Sequence, residues 1–107
     1  METLTAPPHP DNIGRVRKIK SINGDDVTFT IVDEIILPQG SGKLIYFQKL
    51  QHDPGKRLEY RLCYYMLGVK EARKGKWVFG QYALMIDAKD LKKVLQEAKK
   101  RKWKGVI

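Results

Sequence analysis

The sequence has little sulfur and no long apolar run. Cys63 is the only cysteine among 107 residues, which excludes an intramolecular disulfide framework and a zinc site built on several thiolates. No apolar run reaches the ~18 residues of a membrane span, and the N-terminus lacks the basic start and apolar stretch of a secretory signal. We therefore expect a soluble, cytoplasmic protein without a membrane partner, and the length predicts one domain.

Acidic residues are scarce in the second half of the chain. Residues 1–55 contain six Lys or Arg and seven Asp or Glu, whereas residues 56–107 contain fifteen and five. The net charge of +9 therefore arises entirely in the second half. Such asymmetry favours a polyanionic partner, and nucleic acid is the first candidate.

The chain divides into a short tail and one folded segment. Residues 1–12 predict a flexible N-terminal tail, because Pro7, Pro8 and Pro10 remove backbone donors and fix φ. Residues 13–107 predict a single α+β domain. Its strands are expected over residues 13–22, 27–31 with an apolar continuation to 37, 43–50, 58–69 and 77–85.

Two local patterns support this sheet. Asn23-Gly24 predicts a type I′ hairpin turn, because both residues tolerate the positive φ that this turn requires. The strand over residues 58–69 alternates, with Tyr60 and Tyr64 on one face and Arg61 and Cys63 on the other. Residues 13–22 are also assigned to a strand, although their apolar residues recur every three positions, and a bulge could reconcile that spacing with a strand.

One helix is expected after the strands. Asp87 can cap its free N–H groups, and a stripe of apolar residues follows at helical spacing. Gly105 is the predicted stop. The predicted fold is α+β: a twisted antiparallel sheet of about five strands with one C-terminal helix packed on one face. The other face must then be covered by a second copy in a homodimer, by curling of the sheet, or by a nucleic acid.

The helix is also strongly basic. Residues 89–104 contain eight cations, opposed only by Asp90 and Glu97. A row of cations on one helical face can contact successive phosphates and release their counterions. The alternative is an ordinary solvated helix whose last cations complement the helix dipole. The candidate phosphate contacts on this helix are Lys92, Lys93, Lys99, Lys100 and Arg101.

A second basic segment leads into aromatic residues. Arg73, Lys74 and Lys76 are candidate phosphate contacts, and Trp77 and Phe79 follow on one strand face as candidate base-stacking residues. The alternative for both aromatics is core packing. A third basic group comprises Arg15, Arg17, Lys18 and Lys20. Its arginines can contact a phosphate or a guanine edge, but we favour pairing across the hairpin with the acidic residues nearby in sequence, Asp25, Asp26, Asp33 and Glu34.

Catalytic patterns are weak. His9 and His52 lie far apart, and Cys63 is expected to be buried and inert. Asp53, Glu59 and Arg61 resemble the acidic arrangement of a metal-dependent nuclease only loosely, so we expect no enzyme, no cofactor and no metal site.

The sequence therefore predicts a non-enzymatic nucleic-acid-binding protein, with single-stranded DNA or RNA favoured. The order of strands followed by a helix, with basic and aromatic strands, is similar to single-stranded-DNA-binding transcription cofactors, and no residue roles are carried over from them. The first alternative is a protein-interaction module or assembly subunit whose uncovered sheet face binds a partner. The second is the small metal-dependent nuclease.

Overall fold

The computed structural model describes residues 11–40, 42–53, 55, 57–68, 75–80 and 83–106. It contains one five-stranded antiparallel sheet and one helix, which confirms the predicted α+β fold. The strands follow one another in chain order across the sheet. The elements are β1 Val16–Lys20, β2 Asp26–Pro38, β3 Lys43–Asp53, β4 Leu58–Leu67, β5 Trp77–Phe79 and α1 Ala88–Lys100.

The β1–β2 turn differs from the predicted two-residue turn. Ser21 N–H donates to the Asp25 carbonyl at 2.7 Å, and Gly24 N–H donates to the Ser21 carbonyl at 2.9 Å. Gly24 has a φ of +88°, while Asn23 does not have a positive φ. The connection is therefore a three-residue loop with one left-handed glycine, the next commonest way to join two antiparallel strands.

β1 is shorter than predicted and contributes little to the core. All five of its residues are exposed, and so are Ile13 and Ile22 on either side of it. The apolar spacing of three therefore does not mark a buried face. The bulge also lies elsewhere, because the register between β2 and β3 shifts between Ile31 and Asp33.

The helix packs on one face of the sheet. Asp87 caps it as predicted, accepting a hydrogen bond from Asp90 N–H at 2.8 Å. Val94 and Ala98 are buried against Ile35 and Phe47 of the sheet. In the described part of the chain, no helix is long and apolar enough to cross a membrane.

The helix ends before the predicted stop, and the chain turns back into the core. Lys102 adopts a φ of 61°, and Trp103 N–H donates to the Ala98 carbonyl at 3.0 Å. Together with the bond from Lys102 N–H to the Lys99 carbonyl at 2.9 Å, this forms a Schellman motif. Trp103 is consequently buried, with 2% of its surface exposed.

The opposite face of the sheet is covered by curling. β1 and β5 lie at the two ends of the strand order, yet residues of both line one groove. In a flat sheet they would stand four strand spacings of ~4.8 Å apart, so the sheet must be curled. Leu44, Tyr46 and Cys63 are buried on this face within one chain. Covering this face therefore does not require a homodimer.

The N-terminal boundary also shifts slightly. Asn12, the last residue of the predicted tail, is 1% exposed and hydrogen-bonds through its backbone N–H to Glu34 at 2.8 Å. Asn12 therefore belongs to the folded domain, while residues 1–10 lie outside the described residues.

Candidate nucleic-acid interface

The helix displays a row of exposed lysines. Helical spacing places all five away from the buried Val94 and Ala98. Lys93 lies at the margin of this surface, where it lines a groove with Ile35 and Leu37 of the sheet. In the described part of the chain, none of them has a carboxylate oxygen within 4.0 Å. These residues are Lys89, Lys92, Lys93, Lys99 and Lys100. Four of the five predicted helical phosphate contacts therefore lie on one solvent-facing surface, which we call the helix lysine row together with Lys89.

Arg101 has a structural role instead. Its guanidinium lies 2.8 Å from Glu97 and 3.2 Å from Asp33, and it donates to the Glu34 carbonyl at 3.0 Å. Although burial opposes the shift, the bonds to Glu97 and Asp33 raise the pKa of Arg101 above its usual value. Because its charge is paired with two carboxylates and its Nε and Nη1 atoms donate within the protein, we leave Arg101 out of the interface.

The predicted basic and aromatic segment is only partly described. Arg73 and Lys74 lie outside the described residues, and Lys76 is exposed at the start of β5. Trp77 packs against the cluster of Leu44, Tyr46 and Cys63, so its role is core packing. Phe79 is 43% exposed.

The helix and the β5 aromatics lie on opposite faces of the sheet. α1 covers the face that carries Phe47, whereas Trp77 packs beside Tyr46. Neighbouring residues of a strand point to opposite faces. The structure therefore does not bring Trp77 and Phe79 together with the helix lysine row.

Phe79 instead lines a groove that the sequence did not indicate. The groove lies between β1 and the β4–β5 edge of the curled sheet and has a volume of about 340 Å³. We call it the β1–β5 groove. Among the described residues, its lining contains three cations, two aromatic rings and one aliphatic side chain, and no carboxylate. These residues are Arg17, Lys18, Ile19, Arg61, Tyr65 and Phe79.

Arg61 is held in a fixed orientation at this groove. Its Nε and Nη2 atoms donate to Gln48 Oε1 at 2.9 and 2.7 Å. The guanidinium carbon lies 5.3 Å from the Phe29 ring centroid and 5.4 Å from that of Phe79, which is cation–π distance. Tyr65 meets the Phe79 ring edge-on at 5.4 Å.

A buried polar network supports Arg61 from beneath. Glu34 is 5% exposed, and its carboxylate accepts from Gln48 Nε2 at 3.0 Å and from Asn12 N at 2.8 Å. Gln48 thus links a buried carboxylate to the guanidinium through its two amide atoms. The neighbouring Cys63 is buried as predicted, and burial raises the pKa of its thiol to about 11 against the opposing charge of Arg61.

The cations of β1 divide into paired and unpaired residues. Asp26 lies 2.8 Å from Lys20 and 3.8 Å from Lys18, so the predicted pairing across the hairpin occurs for these two. Arg15 and Arg17 have no carboxylate partner within the described residues. Arg17 therefore contributes an uncompensated charge to the β1–β5 groove.

The residues of the nuclease alternative do not converge. Glu59 bonds to His52 and Arg57, while Arg61 bonds to Gln48. Asp53 and His52 are neighbours on β3, so Asp53 points to the face opposite His52 and Glu59. The described residues contain no group of three His, Cys, Asp or Glu side chains able to hold a metal ion.

Comparison of the chain with protein-family models, curated protein sequences and solved structures finds no significant match. The function is therefore inferred from the residues and geometry described above.

Proposed function

We propose that this protein is a non-enzymatic nucleic-acid-binding protein that favours single-stranded DNA or RNA. The observation that carries the proposal is the helix lysine row, because its five ammonium groups are exposed and unneutralised within the described residues. Three contributions to binding follow: the charge attracts the phosphate backbone, the helix fixes the spacing of the cations, and counterion release supplies the free energy.

The helix presents these lysines on a rigid support. Lys89 and Lys100 are separated by eleven residues, which corresponds to ~16 Å along the helix axis. Val94 and Ala98 anchor the other side of the helix in the core. The row is therefore long enough to contact several successive phosphates, and the orientation of the cations does not have to be established on binding.

A salt titration tests this proposal. We expect fluorescently labelled single-stranded oligonucleotides to bind at low salt, and the logarithm of the affinity to fall linearly with the logarithm of the salt concentration. Changing Lys92 and Lys99 to Gln should reduce the slope by about 1.4, because each phosphate contact to a single strand contributes ~0.7. Gln keeps the helix propensity of Lys.

The matched control removes two cations that already have carboxylate partners. Lys20 is bonded to Asp26 and Arg57 to Glu59, so changing both to Gln lowers the net charge equally while leaving the helix intact. This variant should keep the wild-type slope. Equal slopes for the helix variant and the wild type, or no oligonucleotide binding at low salt, would contradict the proposal.

A further inference from the structure

The β1–β5 groove combines stacking and anion-binding groups on the face of the sheet opposite the helix. We propose that this groove binds one unpaired nucleobase of a single strand, with an adjacent phosphate held by Arg61 and Arg17. The inference rests on the proposed function and names the part of the strand that is recognised and the side chains that recognise it.

The base-binding surface is the Phe79 ring. This ring is 43% exposed, and its position is fixed by the edge-on contact with Tyr65 and by the Arg61 guanidinium. A base can stack on an aromatic ring only where its own π-face is free, which is the case for unpaired bases and not for bases inside a duplex. The exposed ring therefore selects single strands.

The phosphate-binding group is the Arg61 guanidinium. Gln48 occupies Nε and one N–H of Nη2, and the remaining N–H groups have no acceptor within the described residues. Arg17 and Arg61 line the same groove, and neither residue forms an ion pair with a described carboxylate. Guanidinium donors held in fixed orientation and lacking a counter-charge suit a phosphate oxygen.

The size of the groove agrees with this ligand. Its volume of about 340 Å³ lies at the lower end of the ~300–1,000 Å³ typical of small-ligand sites. It accommodates one nucleotide unit and not a base pair with its two backbones. The two basic surfaces then have different tasks: the helix lysine row contacts phosphates of any strand, whereas the groove requires a base.

The test uses two decamers of equal charge, oligothymidylate and the same backbone without bases. Wild-type protein should bind oligothymidylate roughly 5- to 150-fold more tightly than the abasic decamer, the equivalent of ~1–3 kcal/mol for one stacked base. Phe79→Ala should lose this preference while retaining its affinity for the abasic strand. Phe79→Tyr, which keeps the ring, should retain the preference.

The outcomes separate this inference from the proposed function. If neither decamer binds the wild type at low salt, the proposed function fails. If both bind and Phe79→Ala keeps the wild-type preference for bases, the groove is not the base site and only the helix proposal survives. A mononucleotide that competes with oligothymidylate at equal affinity would also overturn the inference, because the groove would then be a site for free nucleotides.

A second pair of variants tests the phosphate contact on β1. Arg17→Gln should reduce the salt slope for oligothymidylate by about 0.7, the contribution of one single-strand phosphate. Lys20→Gln removes the same charge from the same strand outside the groove and should leave the slope unchanged. Equal slopes for the two variants would exclude Arg17 from the site.

Discussion

Replacing Trp103 provides a stringent test of how the helix is attached to the sheet. Trp103 is 2% exposed, stacks on Tyr60 at 5.5 Å with an interplanar angle of 6°, and lies 5.2 Å from the Phe47 ring. Its indole N–H donates to Asp33 at 3.1 Å. The side chain therefore connects the end of the helix to three strands.

The expected cost follows from these contacts. Truncating a buried Trp to Ala removes ~3–5 kcal/mol, a large fraction of the ~5–15 kcal/mol that stabilises a typical domain. Trp103→Phe keeps most of the ring contact and loses the N–H donor, so it should cost about 1–2 kcal/mol. The difference between the two variants measures the packing contribution.

Urea unfolding followed by circular dichroism at 222 nm is the appropriate assay, because the substitution itself alters tryptophan fluorescence. Trp103→Ala should lower the midpoint strongly, and Trp103→Phe should lie between it and the wild type. A loss below about 1 kcal/mol for Trp103→Ala would refute the inference that this residue anchors the helix.

Three further predictions address other parts of the fold. Burial raises the pKa of Cys63 to about 11. Between the usual thiol pKa and pH 11, the folded protein therefore keeps the thiol proton while the unfolded chain loses it. Unfolding free energy should therefore fall between pH 9 and 11, by about 1 kcal/mol at pH 10 relative to Cys63→Ala in urea titrations. A Cβ added at Gly80 would lie 2.1 Å from a Tyr64 ring atom, whereas at Gly42 the nearest atom is 3.8 Å away. Thermal unfolding should show Gly80→Ala destabilised by about 1–3 kcal/mol and Gly42→Ala near neutral; equal effects would contradict the packing. Arg101→Gln should cost about 0.5–1.5 kcal/mol in urea unfolding, since its ion pairs are partly exposed, and leave oligonucleotide affinity unchanged; weakened binding by a fully folded variant would return Arg101 to the interface.

Local patterns predicted those elements whose cause is local. Asp87 correctly predicted the start of α1, and the apolar stripe predicted its buried face. Each of these features depends only on residues within one or two helical turns. The alternation along β4 correctly placed Tyr60 and Arg61 on opposite faces, because successive side chains of a strand point to opposite sides. Tyr60 packs in the helix core, whereas Arg61 bonds to Gln48 on the other face.

The features that sequence reasoning missed depend on unusual or distant contacts. The predicted stop at Gly105 was wrong because the helix ends at Lys100 and Lys102 occupies the left-handed position, where glycine is the usual signal of a Schellman motif. The Asn23-Gly24 signal marked the turn correctly and its type incorrectly, since only Gly24 has a positive φ.

The groove could not be predicted from spacing. Arg61 is thirteen residues from Gln48, and β1 reaches β5 only because the sheet curls. Strand alternation identifies which residues share a face, and it gives no information on how strongly that face bends. The sequence identified the basic and aromatic residues, but only the structure showed that the helix lysines and the β5 aromatics lie on opposite faces of the sheet.

The bond between Arg101 and the Glu34 carbonyl has a consequence for the margin of the sheet. β2 is 13 residues long, but within the described chain β1 and the residues just before it bond only to its first part, to Ile31. Beyond that point the strand has an open edge, the kind of template on which strands of other molecules can add. Asp33 accepts the Glu34 N–H at 2.9 Å and Arg101 occupies its carbonyl, so side chains interrupt this edge midway and oppose edge-to-edge aggregation.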